Sequence, residues 1–178
     1  MGLVEEHEEH LENPTVGKIE IQRRFVILID WNNLETGLRS GGIGFQNFNW
    51  LLGPILEHGI VIFTFVFVPQ LANTRLPVVQ MANLYNFKIV QCPREFTSRG
   101  VSKDKDTVDA TMIDLGISLI EHSDCTDIVI VSGDGDFSRF AARAMCSQKR
   151  VHVFSTREAL SGDFRKLESD RILVNIIE

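Results

Sequence analysis

Cysteine is scarce in this chain of 178 residues: Cys92, Cys125 and Cys146 stand far apart, with no CxxC pair and no Cys/His cluster at zinc spacing. That excludes a disulfide framework and a zinc finger or ribbon, and leaves structural thiols of a reducing compartment. Long apolar runs are missing too. The longest, Gly59 to Pro69, is too short to span a bilayer. No secretory leader is expected, since the first dozen residues are acidic where a basic and then apolar stretch belongs, and Glu6 stands where a myristoylation signal needs Ser or Thr. A cytoplasmic protein with no membrane partner is the expectation. Net positive charge is lacking as well, at −6, but its distribution matters more than its sum. Glu5, Glu6, Glu8, Glu9 and Glu12 crowd the first twelve residues without a Lys or Arg, so the remainder is close to neutral.

What is present is an alternation of two kinds of segment. Residues 1–18, polar and broken by Pro14 and Gly17, read as an acidic flexible tail, and residues 19–178 as one domain. Six short apolar runs have strand character: residues 24–30 (RFVILID), 59–69 (GIVIFTFVFVP), 87–93, 127–133 (DIVIVSG), 149–155 and 171–177. Helical spacing fills Phe48 to Glu57, Leu76 to Tyr85, Thr107 to Glu121, Phe137 to Ser147 and Glu158 to Leu167. Strands that alternate with helices require right-handed crossovers, hence an α/β fold: three layers, α/β/α, Rossmann-like, around a mostly parallel sheet of five or six strands.

In such a sheet ligands bind at the carboxyl edge of the strands. Asp30 ends the first strand, with Trp31, Asn32 and Asn33 behind it, and a turn residue is the lesser of its readings. Ser132 ends the fourth, followed by Asp134 and Asp136 in VIVSGDGDF. One of those two aspartates suffices to cap the helix that follows; the other, and Asp30 at the end of a different strand, are unexplained by capping. Asp104, Asp106 and Asp109 open the middle helix, from which Asp109 can face the sheet edge, while Asp114 lies on a different face. Carboxylates from three parts of the chain thus head for one edge. Like charges so gathered need a cation, and oxygen donors without His or Cys favour Mg2+ or Mn2+ over zinc.

The segments VILIDWNNL, KDKDTVDATMIDLG and DIVIVSGDGDF, in this order and on these elements, resemble the NYN domains of the PIN-like group of metal-dependent nucleases. The likeness covers roughly residues 24–177, and its most specific piece is SGDGDF. It implies a Rossmann-like fold, an acidic pocket holding one or two divalent ions, and phosphodiester hydrolysis, usually of RNA. Asp30, Asp109, Asp134 and Asp136 match the family's catalytic and metal-binding acids, Asn33 and Ser132 its polar neighbours, and Asp106 is the substitute if Asp109 faces away. Asp114 does not align with the further acid that family members carry in the middle helix, which leaves the metal count open. The likeness also allows a homodimer, for which no exposed apolar stripe stands out.

A polyanion needs cations near the cut. Arg94, Arg99, Lys103 and Lys105 lie in the segment that leads into the middle helix, and Arg139 and Arg143 are four apart after SGDGDF. Trp31, Tyr85 and Phe96 read as packing residues before they read as base-stacking platforms. His58, His122 and His152 read as surface or core, and Ser132 as a hydrogen-bonding group, since no base is placed to activate it. The leading expectation is an Mg2+/Mn2+-dependent endoribonuclease acting on single-stranded or flexible, structured RNA. Its alternatives are a non-catalytic RNA-binding or scaffold module and a metal-dependent phosphatase or nucleotide-processing enzyme. The phosphatase reading is weakened because position 32, two after Asp30, is Asn.

Overall fold

A computed structural model describes residues 22–70, 76–93 and 104–177. Six strands form one sheet: β1 Arg23–Asp30, β2 Gly59–Pro69, β3 Lys88–Cys92, β4 Asp127–Val131, β5 Arg150–Thr156 and β6 Ile172–Ile177. Their order is β3-β2-β1-β4-β5-β6, and every neighbouring pair is parallel. The expected three-layer α/β architecture is therefore present, and wholly parallel.

The central strands explain the layering. From Phe25 to Asp30 every residue of β1 is buried, as a strand covered on both faces must be. Phe25, Ile27 and Ile29 face one core, with Trp31, Leu34, Leu38, Phe48, Leu51 and Val78; Val26 and Leu28 face the other, with Met112, Phe137, Phe140 and Phe164. Period-two alternation along the strand thus supplies both cores from one apolar run. Helices α1 (Trp31–Ser40), α2 (Asn49–Leu56) and α3 (Leu76–Leu84) cover the first face; α4 (Asp104–His122), α5 (Ser138–Cys146) and α6 (Gly162–Leu167) cover the second.

Three elements depart from the sequence expectation. Residues 31–40, given no helix there, form α1: Trp31, Leu34 and Leu38 bury one stripe, and the side chain of Asp30 caps the first turn by accepting from the Asn33 amide at 3.1 Å. Helix α6 starts at Gly162 rather than Glu158, because Ser161 caps it by accepting from the amide of Asp163. Helix α4 starts at Asp104, three residues before Thr107, which sets Asp109 in its second turn.

The chain leaves β1 toward β2 on one side and β4 toward β5 on the other, so the strand order reverses between β1 and β4. Crossover helices diverge to opposite faces there and leave a crevice outside the carboxyl ends. Ile29 pairs with Val131, so Asp30 and Ser132 emerge side by side at its floor.

Candidate metal centre

Asp30 is 5% exposed at the end of β1. One carboxylate oxygen caps α1, and the other accepts the Ser132 hydroxyl at 3.3 Å. Burial pushes its carboxyl up to about 6; the amides of Asn33 and Asn32 and the Ser132 hydroxyl pull it down, while the negative charge of Asp134 adds to the rise. The cap role resolves the isolated position of Asp30 in the sequence: it is an N-cap and a cavity wall at once.

After β4 the chain turns sharply through Ser132-Gly133-Asp134-Gly135. The Ser132 hydroxyl accepts from the Asp134 amide at 3.2 Å, and the Asp134 side chain accepts from the Asp136 amide at 3.1 Å, capping the 3-10 turn Gly135–Phe137. Asn33 reaches across from α1, its Oδ1 accepting from the Gly133 amide at 2.8 Å. On the other side the Gly133 carbonyl accepts from the Ser161 amide at 2.8 Å. A side chain at 133 has no room: a Cβ would lie 2.3 Å from both the Ala159 carbonyl oxygen and Ser155 Oγ. The loop is clamped from both sides, and its aspartates are aimed by that clamp.

Helix α4 supplies the third piece. Asp109 is 7% exposed, and together with Asp30, Asp134, Asn32 and Thr36 it lines a cavity of about 320 Å³ at the switch point. Asp109, Asp134 and Asp136 each place a carboxylate oxygen within 4.8 Å of the other two. Asp30 borders the same cavity but is not one of that set, whereas Asp136 is exposed and opens onto the neighbouring groove.

Three carboxylate oxygens at this spacing suit a hard divalent cation, whose ligand oxygens sit about 2.0–2.6 Å from the ion. No nitrogen or sulfur ligand contributes among the described residues. The all-oxygen donor set therefore suits a hard divalent cation.

A model of the NYN domain matches residues 24–174. This chain belongs to the NYN domain family. That membership places it in the PIN-like nuclease superfamily, whose members generally act on RNA with divalent metals, and the acids that close on one another here suit that chemistry. Among solved structures, a protein of unknown function from Vibrio parahaemolyticus superposes on this NYN domain with a TM-score of 0.71 at 19% identity, covering 87% of this chain and 94% of that one. At that identity the likeness carries the fold alone. No curated protein matches the chain.

Of the other sequence-selected residues, Asn33 and Ser132 are in place as described, and Arg139 is exposed on α5. Arg94, Arg99 and Lys103 lie outside the described residues, as do the side chains of Lys105 and Asp106 in the first turn of α4. Asp114 is exposed. Trp31 packs edge-on against Phe45 within the core, as a packing residue does. Asn32 and Thr36, one turn apart on the rim of the cavity, went unselected; their signal was the helix that begins at Trp31. Cys92, at the end of β3, carries a thiol pushed up by burial and by the charges of Asp30 and Asp109, which keeps it protonated. Among the described residues no helix is long and apolar enough to cross a membrane.

Proposed function

We propose that this NYN domain is a divalent-cation-dependent endoribonuclease. The observation that carries the reading is the meeting of Asp109, Asp134 and Asp136 within 4.8 Å, in a crevice whose floor is the buried Asp30. Asp109, Asp134 and Asp136 hold the cation, Mg2+ or Mn2+, and Asp30 completes the acidic wall. When bound, the ion neutralises charge that develops on the phosphodiester and lowers the pKa of water.

The chain's own residues supply the rest. Asn33 and Ser132 fix the loop that carries Asp134 and Asp136, so the acids are held in place before substrate arrives. Asp30 and Asp109 are largely shielded from bulk solvent, which strengthens their charge interactions in the cavity. The basic segment Arg94, Arg99, Lys103 and Lys105, with Arg139 on α5, gathers the RNA backbone.

The experiment is cleavage of a labelled RNA by the purified chain with Mg2+ or Mn2+ and with EDTA. Cutting that needs the cation and falls by at least about a thousandfold in Asp134→Asn and Asp109→Asn supports the reading. Cutting that survives both substitutions overturns it. Release of phosphate from mononucleotides with RNA left whole would favour the nucleotide-processing alternative, and RNA binding without cleavage under both metals the scaffold one.

A further inference from the structure

Strand β6 stands at one margin of the sheet, with β5 on its inner side. Along a parallel strand the N–H and C=O groups of successive residues turn alternately to either side. The Val151 amide donates to the Arg171 carbonyl at 2.8 Å, which sets the phase: Leu173, Asn175 and Ile177 turn their groups toward β5, and Ile172, Val174 and Ile176 turn theirs outward. Ser169 takes those of Ile172, donating to its carbonyl at 3.0 Å and accepting from its amide at 3.2 Å. Those of Val174 and Ile176 meet no partner among the described residues.

Edge strands that stay single carry a proline, a lysine, an inward charge or a bulge. Between Ile172 and Ile177 the sequence ILVNII has no proline and no charge, and its register with β5 is unbroken. Apolar side chains stand at this margin instead, Leu173 39% and Ile176 37% exposed. They lie on opposite faces of the sheet. Leu173 and Asn175 are in phase with Ile177, which joins the core under α1–α3, and Ile176 is in phase with Val174, which packs against the other core.

We propose that β6 pairs antiparallel with β6 of a second copy of this chain, across a two-fold axis at Asn175. The unpartnered groups select that register. Val174 of each copy exchanges both hydrogen bonds with Ile176 of the other, and every outward group left open is satisfied. A shift of two residues one way sets Ile172, already engaged by Ser169, opposite Ile176; a shift the other way carries Val174 past the end of the strand. In this register Val174 faces Ile176 on one side of the sheet, Leu173 faces Ile177 on the other, and Asn175 meets its own copy. LVNII thus has the same apolar pattern in both directions about Asn175, which an isologous contact requires and a foreign strand does not. Charge agrees, since in the segment leading into β6 Asp163, Glu168 and Asp170 balance Arg165, Lys166 and Arg171, so two copies meet without net repulsion. Antiparallel pairing inverts one sheet against the other, so the two carboxylate clusters open on opposite edges of one continuous sheet and neither completes the other.

Sedimentation velocity of the full chain across a dilution series should give twice the 20.1 kDa of one copy, falling to one copy at the dilute end. Amide hydrogen exchange read by NMR identifies the surface. The Val174 and Ile176 amides should be protected in the dimer and lose protection on dilution, while those of Leu173 and Asn175, turned toward β5, stay protected throughout. Val174→Pro deletes only an outward N–H, and Ile176→Lys places a charge on the exposed margin. Each should raise the dissociation constant about tenfold or more. Circular dichroism melts check that both variants are folded. A monomer at every concentration, a dimer unchanged in both variants, or a dimer whose Val174 and Ile176 amides exchange freely would overturn the pairing. Protection of those two amides in a monomer would overturn it as well, by placing another part of the same chain on this margin.

Discussion

Asn33 and Gly133 are a hundred residues apart, and a 2.8 Å hydrogen bond from the Gly133 amide to Asn33 Oδ1 ties the first turn of α1 to the loop that carries Asp134. The bond spans the switch point of the sheet. On one side of it stands Asp30, on the other the aspartate pair. Asn33→Ala removes the acceptor and leaves the amide of the buried Gly133 to find another, at about 1–2 kcal/mol of stability. Loss of activity should exceed what that fraction unfolded explains, because the acid-bearing loop is released. Denaturant unfolding beside cleavage rates at a temperature where both proteins are folded separates the two effects.

Gly133 is irreplaceable for a different reason. Gly133→Ala drives a methyl into the Ala159 carbonyl and Ser155 hydroxyl, and backbone, not a flexible side chain, must yield. A loss of about 1–3 kcal/mol is expected, with weakened cation binding. Thermal melts with and without Mn2+ measure both; a variant as stable as wild type would show that the clamp around this loop is loose.

The folded-state carboxyl of Asp30, raised to about 6 against an ordinary value near 4, gives a pH signature in the metal-free protein. A raised acid stabilises the fold in its protonated form: its contribution is complete below about pH 4 and is lost as pH rises through about 6. Asn in its place keeps the cap acceptor but never ionises. Asp30→Asn should therefore match wild type in acid and exceed it by about 2–3 kcal/mol at pH 7.5 in EDTA. A stability difference that does not change with pH would contradict the assignment.

At the opposite edge of the sheet the sign reverses. Asp127, 1% exposed, is pushed up by burial, but His152, Arg23 and Thr126 outweigh that and hold its carboxyl below the usual range. Arg23 Nε donates to Asp127 Oδ2 at 3.2 Å, and His152 Nε2 lies 3.0 Å from Oδ1. Arg23→Ala strands a buried carboxylate and should cost about 3 kcal/mol at neutral pH. A lowered acid contributes stability above its unfolded value and loses it as pH falls, so the gap between wild type and variant should close below about pH 4. Urea titrations at pH 7 and in acid test this.

Cation binding to the folded state alone must raise stability. At a hundred times the dissociation constant the gain is about 2.7 kcal/mol, and Asp109→Asn or Asp134→Asn should abolish it. Melting curves in Mn2+ and EDTA read it directly. An equal shift in the variants would place the ion elsewhere.

The strands were legible because each is an unbroken apolar run, and burial on both faces writes itself into composition with no help from distant residues. Parallel pairing followed from the alternation with helices. The carboxylates at strand ends could also be named from order alone, since any doubly wound sheet exposes those ends together. Helix α1 escaped because its stripe is only Trp31, Leu34 and Leu38, and Asp30, its cap, looked like the turn that ends β1. What no local pattern carries is distance. That Asp109 meets Asp134 and Asp136 while Asp30 stands behind them depends on how far α4 is rotated over the sheet and on how Asn33 and Ser161 clamp one loop. Those quantities arise from packing between elements remote in the chain, where side-chain volumes and hydrogen bonds across the crevice, not periodicity, set the geometry.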